Sequence, residues 1–176
     1  SDKNYGLLEM LKRYQENDEK IKEQVVFYTK NVIEDSSPAL KPGHFFGREV
    51  ELFELREMLA QGGRYLISGI GGSGKTELVR QFLKICVDES LVDGIAVFTY
   101  QEEMELDSAV MSKGEKTLLI VDGMDEEISD QLRNTLYQIP ATIIATSRRD
   151  EIKGFDVYRL HPIGKDAASL IFRDNY

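Results

Sequence analysis

Arg64-Tyr-Leu-Ile-Ser-Gly-Ile-Gly-Gly-Ser-Gly-Lys-Thr-Glu77 is the stretch around which the rest of the chain is organised. Within it, residues 69–76 read GIGGSGKT and match the phosphate-loop pattern G-x-x-x-x-G-K-[ST]. The apolar run at 65–67 predicts a buried parallel strand, and the helical spacing of apolar residues from Leu78 to Cys86 predicts a helix. Glycines let backbone N–H groups approach phosphate oxygens, and a helix N-terminus attracts the same anion. We therefore predict a binding site for a nucleoside triphosphate or its product.

Two residues of this loop have individual predicted roles. Lys75 would reach the β- and γ-phosphates, and the Thr76 hydroxyl would coordinate Mg²⁺. The alternative, a glycine-rich turn that matches the pattern by chance, is disfavoured by the strand before it and the helix after it. The nucleotide-binding residues predicted here are Gly69, Gly71, Gly72, Ser73, Gly74, Lys75, Thr76 and Glu77.

A second pattern is an apolar strand at residues 117–122 that ends in an acid. Asp122 would hold Mg²⁺, directly or through water, opposite Thr76, because ligands bind at the carboxyl ends of parallel strands. Asp125 or Glu126 could polarise an attacking water and act as the catalytic base. An apolar strand that ends in aspartate at an ordinary turn is the alternative, and the upstream phosphate loop favours the metal-binding reading.

A third pattern places polar and basic side chains at the end of another strand, at residues 141–146. Arg148 could contact a γ-phosphate, and Thr146 or Ser147 could bond nearby oxygens. The same residues could equally form a solvated basic turn that pairs with the two acids at 150–151.

The remainder of the chain predicts an α/β fold. Residues 1–35 have apolar residues at helical spacing, which indicates one long helix or two helices with Asn17 or Asp18 capping the second. This segment either packs on its own domain or serves contacts with other domains or self-association. Residues 36–43 predict a linker, and residues 44–176 predict a nucleotide-binding domain in which strands alternate with helices around a parallel sheet. Phe45 and Phe46 either bury the linker or wall an adenine pocket.

Composition restricts the classes of partner. The chain has 176 residues, 41% hydrophobic content and a formal net charge of −9, so we expect neither direct nucleic-acid binding nor association with anionic membranes. No apolar run is long enough for a bilayer span and no signal-peptide pattern is present, which makes a cytoplasmic location the expectation. Cys86 is the single cysteine and falls on an apolar helix face, which predicts a buried structural thiol.

These motifs, in this order, resemble the STAND class of signalling P-loop NTPases, which includes the NB-ARC and NACHT domains. The resemblance is carried by FFGRE at 45–49, GIGGSGKT at 69–76, LLIVDGMDE at 118–126 and IIATSRR at 143–149. Residues Leu160-His-Pro162-Ile163 resemble the segment that follows the sensor strand in this class. FFGRE is similar to the NB-ARC form and the acidic motif to the NACHT form, so the subfamily stays open.

The resemblance implies a three-layer sandwich with a five-stranded parallel sheet in the order 5-1-4-3-2. It implies a molecular switch that is inactive with ADP and is activated by exchange for ATP and by oligomerisation. It also implies that Arg48 and the neighbouring phenylalanines form the adenosine pocket, that Pro162 contacts nucleotide, that Arg148 binds the γ-phosphate, and that Asp125 before Glu126 is catalytic. The helical and winged-helix domains of the class do not follow Tyr176 in this sequence, so nucleotide binding is implied more directly than hydrolysis.

The sequence therefore predicts an ATP- or ADP-binding switch module of a larger regulatory protein, dependent on Mg²⁺ and slow in ATP hydrolysis. One alternative is an interaction module with a vestigial nucleotide site, in which the N-terminal helix mediates contacts. The other is a small-molecule kinase, which the scattered arginines after the sensor strand disfavour.

Overall fold

The computed structural model of the protein describes residues 4–20, 48–100, 104–105 and 116–162. Strands and helices alternate through most of this part of the chain. In chain order the elements are β1 (Asn4–Tyr5), α1 (Leu7–Gln15), α2 (Glu49–Gln61), β2 (Arg64–Ser68), α3 (Lys75–Asp88), β3 (Gly94–Thr99), β4 (Met104–Glu105), β5 (Thr117–Asp122), α4 (Asp130–Gln138), β6 (Thr142–Ser147) and β7 (Asp156–Arg159).

Five strands form one parallel sheet in the order β3-β5-β6-β2-β7. Numbered along the chain within this sheet, the strands follow the order 2-3-4-1-5, which is the predicted 5-1-4-3-2 read from the opposite edge. The predicted α/β fold and strand order are therefore confirmed. Because β2 lies between β6 and β7, the loop that follows it emerges beside the carboxyl ends of both neighbours.

Helices pack on both faces of the sheet. Alternate residues of a strand point to opposite faces, so Leu66 and Leu119 pack with α1 and α4, whereas Ile67 and Ile120 pack with α2 and α3. Burying a side chain of this size contributes about 1.5–3 kcal/mol relative to exposure. The apolar character of β2, β5 and β6 on both faces is what a central parallel strand requires.

The N-terminal segment is interrupted after α1. Asn17 has a φ of 69°, and the Asp18 carboxylate accepts a hydrogen bond from the Lys20 N–H at 3.0 Å, where residues 19 and 20 are helical again. The prediction of one continuous helix is therefore wrong, and the Asp18 contact agrees with the alternative in which Asp18 caps a second helix. The rest of that second helix stays a prediction, because residues 21–47 lie outside the described residues. Asparagine tolerates the left-handed conformation better than most residues, which explains why the helix ends there.

Helix α1 packs on its own domain. Leu7, Met10 and Leu11 are buried in the same core as the residues of α4. The Gln15 side chain also donates a hydrogen bond to the side chain of Gln138, the last residue of α4. The Tyr14 ring meets Phe98 of β3 edge to face. Self-association stays a prediction for the rest of the N-terminal segment, which lies outside the described residues.

The sequence analysis did not predict strands β1 and β4, which pair antiparallel over two residues each. Strands this short have no detectable hydrophobic periodicity. The predicted linker at 36–43 lies outside the described residues. Within residues 4–20, 48–100, 104–105 and 116–162, no helix has the length and apolarity that a bilayer span requires.

Candidate functional site

The carboxyl ends of β2, β5 and β6 surround a cavity of about 400 Å³. Ligands of open parallel sheets bind at this edge, beside the N-termini of the helices that follow the strands. The lining combines backbone from the glycine loop with charged and hydroxyl side chains from all three segments. It consists of Gly71, Gly72, Gly74, Lys75, Thr76, Glu77, Asp122, Gly123, Asp125, Thr146 and Arg148.

The loop between β2 and α3 is anchored where it leaves the sheet. The Gly69 N–H donates to the Ser147 carbonyl at 3.1 Å, and the Leu160 N–H donates to the Ser68 carbonyl at 2.7 Å. A Cβ at Gly69 would lie 2.7 Å from Ser73 Oγ and 2.9 Å from the Leu160 carbonyl oxygen, so only glycine fits. Further on, Gly74 has a φ of 91°, which permits the turn into α3.

Lys75 folds back over the loop. Its ammonium donates to the Ile70 carbonyl at 2.9 Å and to the Gly69 carbonyl, and it lies 3.4 Å from Ser73 Oγ. Partial burial lowers the pKa of Lys75 below its ordinary value, and the positive charge of Arg148 lowers it further. The carboxylates of Asp125 and Asp122 oppose this shift of the Lys75 pKa. The ammonium is therefore held at the cavity by carbonyl groups that an incoming anion could replace.

Asp122 is the centre of a hydroxyl cluster. Its Oδ1 accepts hydrogen bonds from the hydroxyls of Thr146 at 2.6 Å and Thr76 at 3.3 Å. The Thr146 hydroxyl in turn accepts the Gly123 N–H at 2.9 Å, which orients it toward the carboxylate. Three separate segments are thereby joined at one oxygen atom. Thr146 is among the residues expected to bond nearby oxygens, and its bond is to Asp122.

The oxygen atoms around Asp122 suit Mg²⁺, an ion that needs few ligands from the protein itself. Mg²⁺ retains several waters and usually takes one or two carboxylates plus phosphate oxygens. Within the described part of the chain, no cluster of three His, Cys, Asp or Glu side chains could hold a metal ion unaided. Thr76 and Asp122 together could hold one that also binds phosphate oxygens and water.

Asp125 and Arg148 form an ion pair at the mouth of the cavity. The Asp125 carboxylate accepts the Arg148 backbone N–H at 2.8 Å and its Nε–H at 3.2 Å. The Arg148 side chain is 69% exposed, so it is free to turn toward a ligand. The two predictions for Arg148 were a γ-phosphate contact and a basic turn paired with the acids at 150–151. Neither included this ion pair.

The charges that line the cavity favour neither a bare anion nor a bare cation. Three carboxylates, those of Glu77, Asp122 and Asp125, face two cations, Lys75 and Arg148. A triphosphate entering alone would meet more negative than positive charge. A divalent cation that enters with it reverses this balance, as bound metal ions commonly do at phosphate sites.

Glu126, the second candidate for the base, does not line this cavity. It accepts a hydrogen bond from the Tyr100 hydroxyl at 3.2 Å, and burial together with this acid raises the pKa of Tyr100. Tyr100 is a neighbour of the acidic motif that the sequence analysis missed, because no short-range pattern relates residues so far apart. Pro162 is exposed and is likewise absent from the lining.

Arg48 lies behind the loop, where it is 4% exposed. One guanidinium nitrogen, Nη2, donates to the Ser73 carbonyl at 2.6 Å, and the other, Nη1, donates to the Glu51 carboxylate at 3.3 Å. Both hydrogen bonds of the Arg48 guanidinium are thus made to other residues of the protein. Phe45 and Phe46, which were predicted to complete an adenosine pocket with Arg48, lie outside the described residues.

Neither a scan against models of protein families nor a search of curated proteins finds a match to this chain.

Proposed function

We propose that this chain is the nucleotide-binding module of a P-loop NTPase that takes ATP or ADP together with Mg²⁺. The observation that supports this most directly is the meeting of three motifs at one cavity. The GIGGSGKT loop, the acid at the end of β5 and the arginine after β6 are far apart in sequence and share its lining. A chance glycine-rich turn gives no reason for the other two segments to converge on it.

Each part of the lining has a role in this proposal. Loop N–H groups and Lys75 bind the phosphates, because amides at a helix N-terminus and an ammonium are complementary to an anion. Thr76 and Asp122 hold Mg²⁺, which would shield the phosphate charge when bound. Gly69 and Ser73 stabilise the loop internally, whereas Glu77 lines the cavity.

Asp125 is the proposed general base, and Glu126 the alternative. A base must lie within reach of the water whose proton it takes, and Asp125 lines the cavity whereas Glu126 is bonded to Tyr100. Arg148 is the proposed γ-phosphate contact. Its movement toward the phosphate would release Asp125 to polarise water. Slow hydrolysis stays part of the proposal, as the sequence analysis predicts.

The resemblance to STAND proteins extends the proposal to the whole protein. The strand order agrees with the one that the resemblance implies, which supports a P-loop NTPase three-layer sandwich over other α/β arrangements. We accordingly propose a switch within a larger signalling or regulatory protein of the cytoplasm. Adenine over guanine rests on the same resemblance, as do the adenosine contacts of Phe45 and Phe46 and the nucleotide contact of Pro162.

The decisive experiment identifies nucleotide released when the purified protein is denatured and titrates Mg·ATP and Mg·ADP by calorimetry. We expect binding by the parent and loss of about tenfold to a hundredfold in Lys75→Ala, because a charge-assisted contact of about 1.5–3 kcal/mol is removed. Lys84→Ala is the matched control, since Lys84 is on the same helix and pairs with Asp88 away from the loop.

The other two functions give different results in the same assay. A parent that binds no nucleotide with Mg²⁺ would leave the interaction module with a vestigial site. Transfer of phosphate to an added small molecule, rather than to water, would favour the kinase. Equal affinities in Lys75→Ala and Lys84→Ala would contradict the proposed phosphate site.

A further inference from the structure

We propose that Arg48 is a positioning residue that holds the phosphate loop in its anion-binding shape through the carbonyl of Ser73. This inference rests on the proposed nucleotide-binding function. It assigns Arg48 a task at the phosphates, which differs from the adenosine contact that the family resemblance implies. The ligand group concerned is the triphosphate, irrespective of the base it carries.

The contact is short and almost fully desolvated. Arg48 Nη2 donates to the Ser73 carbonyl at 2.6 Å, Arg48 is 4% exposed and Ser73 is 1% exposed. The same nitrogen would lie 3.2 Å from a Cβ at Gly74, so the guanidinium is packed directly against the loop backbone. A hydrogen bond with a charged donor is strongest where water is excluded, as it is here.

Because the peptide group is planar, this contact also fixes the direction of the next backbone N–H. In a trans peptide the C=O and the following N–H point in opposite directions across a rigid plane. Fixing the Ser73 carbonyl against Arg48 therefore directs the Gly74 N–H to the opposite side, and Gly74 lines the cavity. Gly74 has a φ of 91° and can rotate more freely than other residues, so its peptide needs an external restraint.

The guanidinium is itself held in place by helix α2. Arg48 is the N-cap residue of α2, and the Glu51 carboxylate, three residues later, accepts its Nη1 at 3.3 Å. Glu51 is also buried, and within the described part of the chain its second oxygen has no hydrogen-bond partner. Arg48 is thus the hydrogen-bond partner that the structure describes for the Glu51 carboxylate. Arg48 and Glu51 together tie the loop to a helix that precedes it in the sequence.

The test compares two probes, Mg·ATP and Mg·tripolyphosphate, which has the phosphates without a nucleoside. We expect the double variant Arg48→Met/Glu51→Gln to lose affinity for both probes by the same factor, about tenfold. Removing both charges avoids a buried, unpaired Glu51 carboxylate, which could unfold a single variant. Arg56→Met is the matched control, because Arg56 is also on α2 but pairs with exposed Glu89.

A second measurement is independent of affinity and uses a milder variant. Arg48→Lys keeps the charge beside Glu51 but lacks the planar fork, and we expect it to shift the Gly74 amide resonance in a ¹⁵N-correlated spectrum. The amide resonances of β5 should stay in place. Arg56→Lys should shift neither set.

Four results would overturn the inference. Parental affinity of the double variant for tripolyphosphate, or an unmoved Gly74 amide in Arg48→Lys, would show that the loop does not depend on Arg48. A larger loss for ATP than for tripolyphosphate would assign Arg48 to nucleoside recognition instead. A parent protein that binds neither probe would overturn the proposed function as well, which separates the two failures.

Discussion

The pairing of Asp125 with Arg148 is exposed and therefore weak. Ion pairs of this kind contribute about 0.2–1 kcal/mol, and the Asp125 side chain is 36% exposed. A γ-phosphate could compete for Arg148 without a large energetic cost. The pair therefore stabilises the fold little, and its two members are available for ligand chemistry.

Replacing Asp125 tests the assignment of the base. We expect Asp125→Ala to bind Mg·ATP as the parent does and to hydrolyse it about a hundredfold more slowly, because it removes the carboxylate proposed to polarise water. Binding is measured by calorimetry and turnover by phosphate release. Unfolding of both proteins is compared by thermal denaturation, which should differ little because the ion pair is exposed.

Glu126→Ala is the control for this prediction. Its side chain is bonded to Tyr100 and does not line the cavity, so turnover should change less than in Asp125→Ala. If Asp125→Ala hydrolyses ATP as fast as the parent, the assignment of Asp125 is wrong and Glu126 is the next candidate.

At the scale of elements, two glycines of the phosphate loop differ in the space that is available for a side chain. Neither Gly69 nor Gly71 has a positive φ, but a Cβ at Gly69 would meet Ser73 Oγ and the Leu160 carbonyl within 3.0 Å. At Gly71 the nearest atom is Arg148 Cδ at 3.9 Å. The two glycines therefore differ in how closely other atoms pack against them and not in backbone conformation.

We predict that Gly69→Ala lowers the free energy of unfolding by about 1–3 kcal/mol and weakens nucleotide binding, because the loop must move away from the Leu160 carbonyl. Gly71→Ala should leave the free energy of unfolding within about 0.5 kcal/mol of the parent. Urea denaturation of both variants measures the difference. Equal effects would mean that the close approach at Gly69 can relax without cost.

Helix α1 offers a test of whether the N-terminal segment belongs to this domain. Leu11 is fully buried against the sheet, so Leu11→Ala should cost about 2–5 kcal/mol of unfolding free energy. Leu8, which packs only partly against the same core, should cost less when replaced by alanine. A small and equal cost for both would indicate that α1 is not docked in solution.

The elements that could be predicted from sequence are those with a strong local pattern. The strand at residues 117–122 was predicted with the bounds that β5 has, because an uninterrupted apolar run ends there in Asp122. Strands β1 and β4 could not be predicted because two residues carry no period. The contact of Arg48 with Ser73 was also beyond prediction, since it joins positions whose proximity depends on how α2 packs against α3.

At the scale of the whole molecule, Cys86 reports on global unfolding. Burial raises the pKa of its thiol to about 12 from an ordinary value of 9.0, and the residue is fully buried in the core between the sheet, α2 and α3. At pH 8 the folded protein therefore has almost no thiolate, whereas the unfolded chain has an ordinary thiol. Thiol reagents attack the thiolate, so reaction requires opening of the fold.

We predict that a chromogenic thiol reagent at pH 8 reacts slowly with the native protein and rapidly in urea, with one thiol per chain. Saturating Mg·ATP should slow the native reaction further, because a ligand that binds only the folded state lowers the unfolded population. As pH rises from about 9 toward 12, the free energy of unfolding should fall, because the thiol ionises only in the unfolded chain. Fast labelling of the native protein at pH 8 would contradict the burial of Cys86.

The convergence of two hydroxyls on Asp122 has a consequence for how quickly a metal ion could be received. A hydroxyl has one proton and two lone pairs, and the Thr76 hydroxyl donates its hydrogen bond to Asp122 Oδ1. Its lone pairs are thereby turned away from the carboxylate and are available to a cation without a search among rotamers. The Thr76 hydroxyl is therefore oriented when the protein folds, before any cation binds.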